Sequence, residues 1–263
     1  MNIILYLIIF IMGSVFGSFL TLATYRIPLN EDITHKHSYC PKCNHKLNFL
    51  DMIPILSYII LKGRCRYCKA KISPRYFIIE VLCGIAFVLL ALTLEVNIYT
   101  VNLNTIFNFG LGALYIVFLF LIGGIDKEHH YIDKRVLVYG IFINFLYLIY
   151  EYIYGEKFNI NRVIIYFTFI MIVLIINTYE IKKKGKDSYS INVILLTIIM
   201  ALFTYEPVTI FSVIMAMFII VFNEILDSII RKKSKVNKTE LPIAFYLCIS
   251  NCITMLLTNI ILI

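Results

Sequence analysis

Residues 104–126 read NTIFNFGLGALYIVFLFLIGGID. Twenty-two positions, 104–125, pass without a charge before Asp126. A helix needs about 20 such residues to cross the hydrocarbon core of a bilayer. The run is continuous rather than alternating, so it does not fit a barrel strand. Inside lipid the backbone must satisfy its own polar groups, and a lone segment does this only as a helix. The stretch therefore reads as a transmembrane α-helix with an acid where it meets water.

The same reading applied outward gives eight spans, near 3–24, 76–94, 104–125, 136–154, 161–179, 191–205, 207–230 and 241–262. The sixth is short and is followed by a Tyr205-Glu206-Pro207 turn. Composition agrees. The chain is 60% hydrophobic and 15% charged, with mean hydropathy +0.86, whereas soluble domains carry about 25% charged residues. Soluble, disordered, collagen-like and disulfide-scaffold classes are excluded. The fold class expected is all-α, a polytopic membrane protein with about eight transmembrane helices.

The formal net charge is +8. Of 24 Lys and Arg residues, 22 fall in segments 25–75, 126–135, 180–190 and 230–240; only Lys157 and Arg162 lie elsewhere. These segments are alternate loops of the eight-span arrangement. Basic loops mark the cytoplasmic side, which puts both termini outside. The charge thus reports topology in a membrane lipid setting, and no nucleic-acid partner is expected. The first span lacks a basic n-region and an A-x-A site and is too long for a cleaved signal peptide. Its Gly13-Ser14 and Gly17-Ser18 place small residues four apart, a helix-packing face.

Three segments follow: a first transmembrane helix (1–24), a polar cytoplasmic module (25–75) and the remaining spans (76–263). The module holds Cys40-Pro41-Lys42-Cys43 and Cys65-Arg66-Tyr67-Cys68, two C-x2-C pairs separated by 21 residues. Two such knuckles can close a tetrahedral thiolate site, so the expectation is a structural Zn²⁺ on Cys40, Cys43, Cys65 and Cys68. A reducing cytosol disfavours disulfides there. A four-sulfur site has no open position for water and stabilises a module too small for its own core. Cys83, Cys248 and Cys252 read as small apolar fillers within spans.

Two acids stand at cytoplasmic boundaries. Asp126 precedes the fourth span, and Asp187, in Lys184-Gly185-Lys186-Asp187, precedes the sixth. Two carboxylates brought together cannot both ionise readily, and such a pair can activate water against a carbonyl. Separately, each could be a solvated loop acid beside lysines. Asp133 is expected to pair with Lys134 or Arg135. Glu224 and Asp227 read as interfacial helix charges, and His129-His130 as loop residues. Glu80 stands just inside a long apolar run, where an ionisable group is functional by default.

Taken in order, further motifs identify a resemblance. They are Gly17-Ser18-Phe19-Leu20, Tyr25-Arg26-Ile27-Pro28, Cys40-Pro41-x-Cys43, Ile53-Pro54-x-Leu56-Ser57-Tyr58, Gly63-Arg64-Cys65-Arg66-Tyr67-Cys68 and Ile72-Ser73-Pro74-Arg75-Tyr76 with Glu80. With Ile125-Asp126 and Leu241-Pro242-Ile243, this series resembles the type IV prepilin peptidases, polytopic aspartic proteases. The resemblance implies a peptidase region over about 104–263 with Asp126 and Asp187 as its catalytic pair. Three departures are visible, the first being that the proline usual after the first aspartate is absent and Asp133 stands near its place. The glycines of the family's G-x-G-D motif are replaced by Lys184 and Lys186, and Thr21 stands where Asn is usual.

The implied activity is endoproteolytic removal of a short basic leader from prepilins or pseudopilins at the cytoplasmic face of the inner membrane. The family also implies N-methylation of the new N-terminus with S-adenosylmethionine. Rival readings are a catalytically idle scaffold, a methyltransferase alone, and a transporter. Charges at one face rather than at mid-membrane count against the transporter. Oligomeric state is left open.

Overall fold

Ser73-Pro74 shows how local chemistry starts these helices. The Ser73 hydroxyl accepts from the Arg75 N–H, and Pro74 occupies the first helical position, where its missing N–H costs nothing. The computed structural model describes residues 2–33, 37–99, 101–155, 159–184, 188–231 and 241–261. In chain order the helices are α1 (Asn2–Arg26), α2 (Leu56–Ile60), α3 (Pro74–Thr93), α4 (Leu103–His129), α5 (Lys134–Tyr154), α6 (Ile160–Lys184), α7 (Tyr189–Thr204), α8 (Glu206–Arg231) and α9 (Ile243–Ile261). A short 3-10 turn covers Phe49–Asp51.

The eight expected spans coincide with α1 and α3–α9. Among the described residues, α1, α3, α4, α5, α6 and α8 are long and apolar enough to cross a membrane; α7 and α9 are shorter apolar helices. No extended strand forms among these residues, only two isolated bridges in the cysteine module. One boundary moves. α4 continues to His129, so Asp126 sits in its last turn and His129 is helical rather than in a loop. The His130 N–H closes that turn on the Asp126 carbonyl at 2.9 Å, with His130 at φ 49.

The chain divides into two compact units, residues 1–117 and 118–263, with the division inside α4. In the first, α1 packs along α3 through its small residues. A Cβ added to Gly13 would lie 2.8 Å from the Cys83 carbonyl oxygen, and one on Gly17 2.8 Å from Glu80 Cα. The expected packing face is therefore real, and it is backbone-to-backbone. Cys83 and Phe87 are fully buried beside it. We expect Gly17→Val to push the helices apart and destabilise this unit by about 1–3 kcal/mol, as overpacking does. The change is readable as a lowered melting temperature in detergent; an unshifted melting curve would contradict the close approach.

In the second unit α7 is the hub, packed against α5, α6, α8 and α9. Leu196, Ile199 and Met200 are accordingly fully buried, whereas α8 leaves Phe211, Met217 and Phe218 exposed as a lipid-compatible face. Polar side chains tie the helices together. Asn177 donates to Asn192 at 3.2 Å, and Asn251 donates to Thr204 and Ser212, both at 3.3 Å. Such bonds hold helices where lipid offers no hydrophobic driving force.

The turn between α7 and α8 is capped by Arg162. Its guanidinium donates to the Ala201 and Leu202 carbonyls at 2.8 and 3.2 Å, pairs with Glu206 at 3.0 Å and lies over the Tyr205 ring. A cation at a helix C-terminus satisfies its last carbonyls and offsets the helix dipole. The Tyr205 hydroxyl in turn donates to Glu151. This explains why Arg162 stands apart from the basic loops.

Candidate active site and metal centre

Asp126 is completely buried. It lies where the last turn of α4, the first residue of α7 and the first turn of α9 converge. The Tyr189 hydroxyl donates to both of its carboxylate oxygens, at 3.0 and 3.1 Å. The Phe245 N–H donates to Oδ2 at 2.9 Å, and the Ala244 N–H donates to the Tyr189 oxygen at 3.3 Å. Both amides belong to the opening turn of α9, whose N–H groups have no helical partner and favour negative charge. Pro242 stands just before that turn, a position that suits a helix start. Gly123, one turn before Asp126, faces Cys248 of α9 at a distance where a Cβ would make ordinary van der Waals contact, 3.4 Å. Lys127 lies over the Phe245 ring at 4.5 Å.

The other acids are disposed differently. Asp187 lies outside the described residues, as do Gly185 and Lys186 before it. Asp133 caps α5 and is forked by Arg135, at 3.0 Å to Nε and 2.7 Å to Nη2, the pairing expected of it. Glu224 is exposed, and the side chain of Asp227 lies outside the described residues. Glu80 is buried and accepts the Ile55 N–H at 2.7 Å, so it anchors the module to α3. Sequence reasoning misses Tyr189. Its signal there is faint: a phenol opening an apolar helix, two residues after Asp187.

The four expected metal ligands come together. The sulfurs of Cys40, Cys43, Cys65 and Cys68 all lie within 4.8 Å of one another, with Cys40 to Cys68 at 3.9 Å. A tetrahedron with metal–sulfur bonds near ~2.3 Å has sulfur–sulfur edges of about 3.8 Å, so this donor set fits Zn²⁺. The two knuckles are built alike. The first cysteine of each donates its N–H across the turn to a carbonyl, Cys40 to His45 and Cys65 to Ala70. Asn44 and Lys69, each just after the second cysteine, both adopt positive φ.

The N–H groups of Cys68 and Tyr67 bring the Cys65 thiol down to about 7, which favours the thiolate a metal requires. At Cys43 the His45 amide acts downward but is outweighed by burial and by the Cys68 and Cys40 thiols, leaving it at about 11. Asp51 braces the second knuckle, accepting from Arg66 Nε at 2.6 Å and the Tyr67 hydroxyl at 3.1 Å. Burial pushes its carboxyl up, but Arg66, the Asn48 N–H and Tyr67 together hold it below the usual range.

Comparison with known proteins gives matching results. Residues 11–94 match the bacterial peptidase A24 N-terminal domain. A prepilin leader peptidase/N-methyltransferase of Vibrio cholerae is 35% identical over 153 residues, covering 54% of this chain and 56% of that protein. Its Myxococcus xanthus counterpart is 42% identical over 79 residues, covering 30% of this chain and 24% of the relative. A type 4 prepilin-like proteins leader peptide-processing enzyme of Escherichia coli is 38% identical over 98 residues, covering 30% and 36%. The chain thus spans between 24% and 56% of the length of these curated relatives. No solved structure matches it. With six helices long and apolar enough to cross a bilayer among its described residues, the chain is a multi-pass membrane protein. Residues 11–94 are similar to the bacterial peptidase A24 N-terminal domain, and over stretches of 79 to 153 residues the chain is similar to prepilin leader peptidases.

Proposed function

We propose that this chain is a membrane aspartic endopeptidase that removes the short basic leader from type IV prepilins or pseudopilins. The carrying observation is Asp126, a wholly buried carboxylate closing an apolar span and held by Tyr189 and the start of α9. Tyr189 follows Asp187 by two positions in the sequence, which supports these two aspartates as the pair.

In this reading the two carboxyls share one proton. One takes a proton from water, whose oxygen attacks the scissile carbonyl carbon, and the other gives its proton to the carbonyl oxygen. Collapse breaks the C–N bond, and the leaving amine takes up a proton. Orientation comes from the bilayer, because the apolar helix of a prepilin brings its cleavage site to a fixed depth.

The site faces the cytoplasm of the inner membrane, because the basic residues cluster in the loops on that side. A reporter fused after Lys71 is then expected to read cytoplasmic and one after Ile263 external; a cytoplasmic reading at Ile263 would refute this orientation. Zn²⁺ on the four cysteines is structural and takes no part in cleavage. The names of the relatives support a second activity, methylation of the new N-terminus with S-adenosylmethionine.

Co-expression with a prepilin, followed by mass measurement of its N-terminus, tests both steps. Loss of the leader mass is expected, with the gain of one methyl group. A prepilin of unchanged mass beside a correctly inserted protein would reject the peptidase reading.

A further inference from the structure

The cysteine module carries an apolar surface that its own fold leaves open. On α2, Leu56, Ile59 and Ile60 are 55%, 56% and 71% exposed. Their spacing of three and four puts them on one helix face. The adjoining 3-10 turn adds Phe49 and Leu50, at 78% and 64%. In a polar, four-cysteine module this is a large apolar patch, and such patches mark a partner.

The position of α2 says what the partner is. Tyr58, between the exposed positions, stacks on Phe77 in the first turn of α3 with ring centroids 5.3 Å apart. Ile55, just before α2, donates its N–H to Glu80 at 2.7 Å. Ile55 does so at φ 64, a region β-branched residues avoid, so this anchor is held against local strain. Glu80 lies six residues into α3, about 9 Å along its axis. Because α3 is long and apolar enough to cross a membrane, α2 is pinned at the level where such a span enters the bilayer.

Charge agrees. Segment 25–75 holds ten Lys and Arg against Glu31, Asp32 and Asp51, and Lys62 and Arg64 are exposed directly after α2. A basic rim beside an apolar face is the pattern of a segment lying in the lipid interface. A basic prepilin leader, by contrast, would be repelled by it.

We infer that α2 and the Phe49–Asp51 turn form an interfacial membrane foot. Leu56, Ile59, Ile60, Phe49 and Leu50 enter the acyl region of the protein's own bilayer, and Lys62 and Arg64 meet lipid phosphates. The foot fixes the height of the metal module above the membrane. This inference stands apart from the peptidase reading, since it needs only the module and α3.

The chain contains no Trp but 19 Tyr, so Ile60→Trp and Phe49→Trp each introduce a sole tryptophan into the full-length protein, excited at a wavelength where tyrosine does not absorb. Each is reconstituted into vesicles of phosphatidylethanolamine and phosphatidylglycerol, with and without bromine on the acyl chains. Retained metal stoichiometry checks the module's fold, and Phe49→Trp serves if Ile60→Trp loses metal. Bromine should quench emission at least about two-fold, because an interfacial face lies about 5–10 Å below the headgroup boundary. Iodide in the aqueous phase should have little effect. Strong iodide quenching with no effect of bromine overturns the inference. So does protection from iodide that appears only when a prepilin is added, which would assign the face to substrate instead.

Discussion

Asp126→Asn and Asp187→Asn are each expected to cut prepilin cleavage by about a hundred- to ten-thousandfold, the usual worth of a positioned acid or base. The fold should survive at Asp126. Asn is nearly isosteric, and its remaining oxygen can still accept the Phe245 N–H and the Tyr189 hydroxyl that Asp126 now receives. What is lost is the ability to take up and release a proton. Asp133→Asn provides the contrast. Asn also caps helices well, so α5 keeps its start, and only the Arg135 pairing is weakened; substantial activity should remain.

Tyr189→Phe removes one hydroxyl and leaves the ring. A hydrogen bond to a charged group is worth about 1.5–3 kcal/mol, so kcat should fall roughly ten- to a hundredfold with KM little changed. Steady-state kinetics on one prepilin, with melting curves for each variant, decide among these outcomes. An active Asp187→Asn protein would reject the pair. A fully active Tyr189→Phe protein would leave Asp126 catalytic but deprive the phenol of its positioning role.

Stripping the metal should have the next largest effect. Elemental analysis is expected to find about one Zn²⁺ per chain, and replacing Cys65 with Ser should abolish it. Structural zinc contributes about 10–16 kcal/mol of apparent binding free energy in small modules. Residues 37–72, which have little buried apolar surface beyond Cys40 and Cys65, should then become protease-sensitive. Cleavage activity should fall less than for Asp126→Asn, because a four-sulfur site offers substrate no open position.

Acid should act in the same direction as chelation. Metal binding requires thiolates, so retention weakens as pH falls. The Asp51 carboxyl is held below its usual range in the folded module. Its support is therefore complete above the ordinary carboxylate range and is lost as pH falls through the lowered value. Zinc release followed with a chromophoric indicator should rise on the acid side. A metal-free protein, or one whose module resists protease equally well without metal, would contradict this account.

Several features were legible because they are local properties of the chain. The length of each apolar run sets whether a helix can cross a bilayer, and each expected span has its helix in α1 or α3–α9. The paired C-x2-C spacing is likewise local, since each knuckle closes within a few residues and only the meeting of two knuckles is long-range. Gly13 and Gly17 announced a packing face because nothing but a small side chain allows helix backbones so near.

Other features depended on which distant segments meet. The Tyr189 hydroxyl on Asp126 comes from 63 positions away and the Phe245 amide from 119. Both elements are apolar helices that look alike in sequence, so no periodicity distinguishes the one that supplies a donor. Glu80 looked like a candidate for chemistry because a charge within an apolar run is costly; the tertiary structure answers that cost with the Ile55 N–H. Arg162 stood out only as an exception among the basic residues until the end of α7 was seen to place its carbonyls against it. The sequence by itself determined the helical membrane class, the four-cysteine cluster and the position of Asp126 at the end of a span, because hydrophobic length, cysteine spacing and charge placement act along the chain. Only the tertiary structure decided what holds Asp126 and what Glu80 does, because a buried polar group takes whatever partner the packing brings within hydrogen-bond reach.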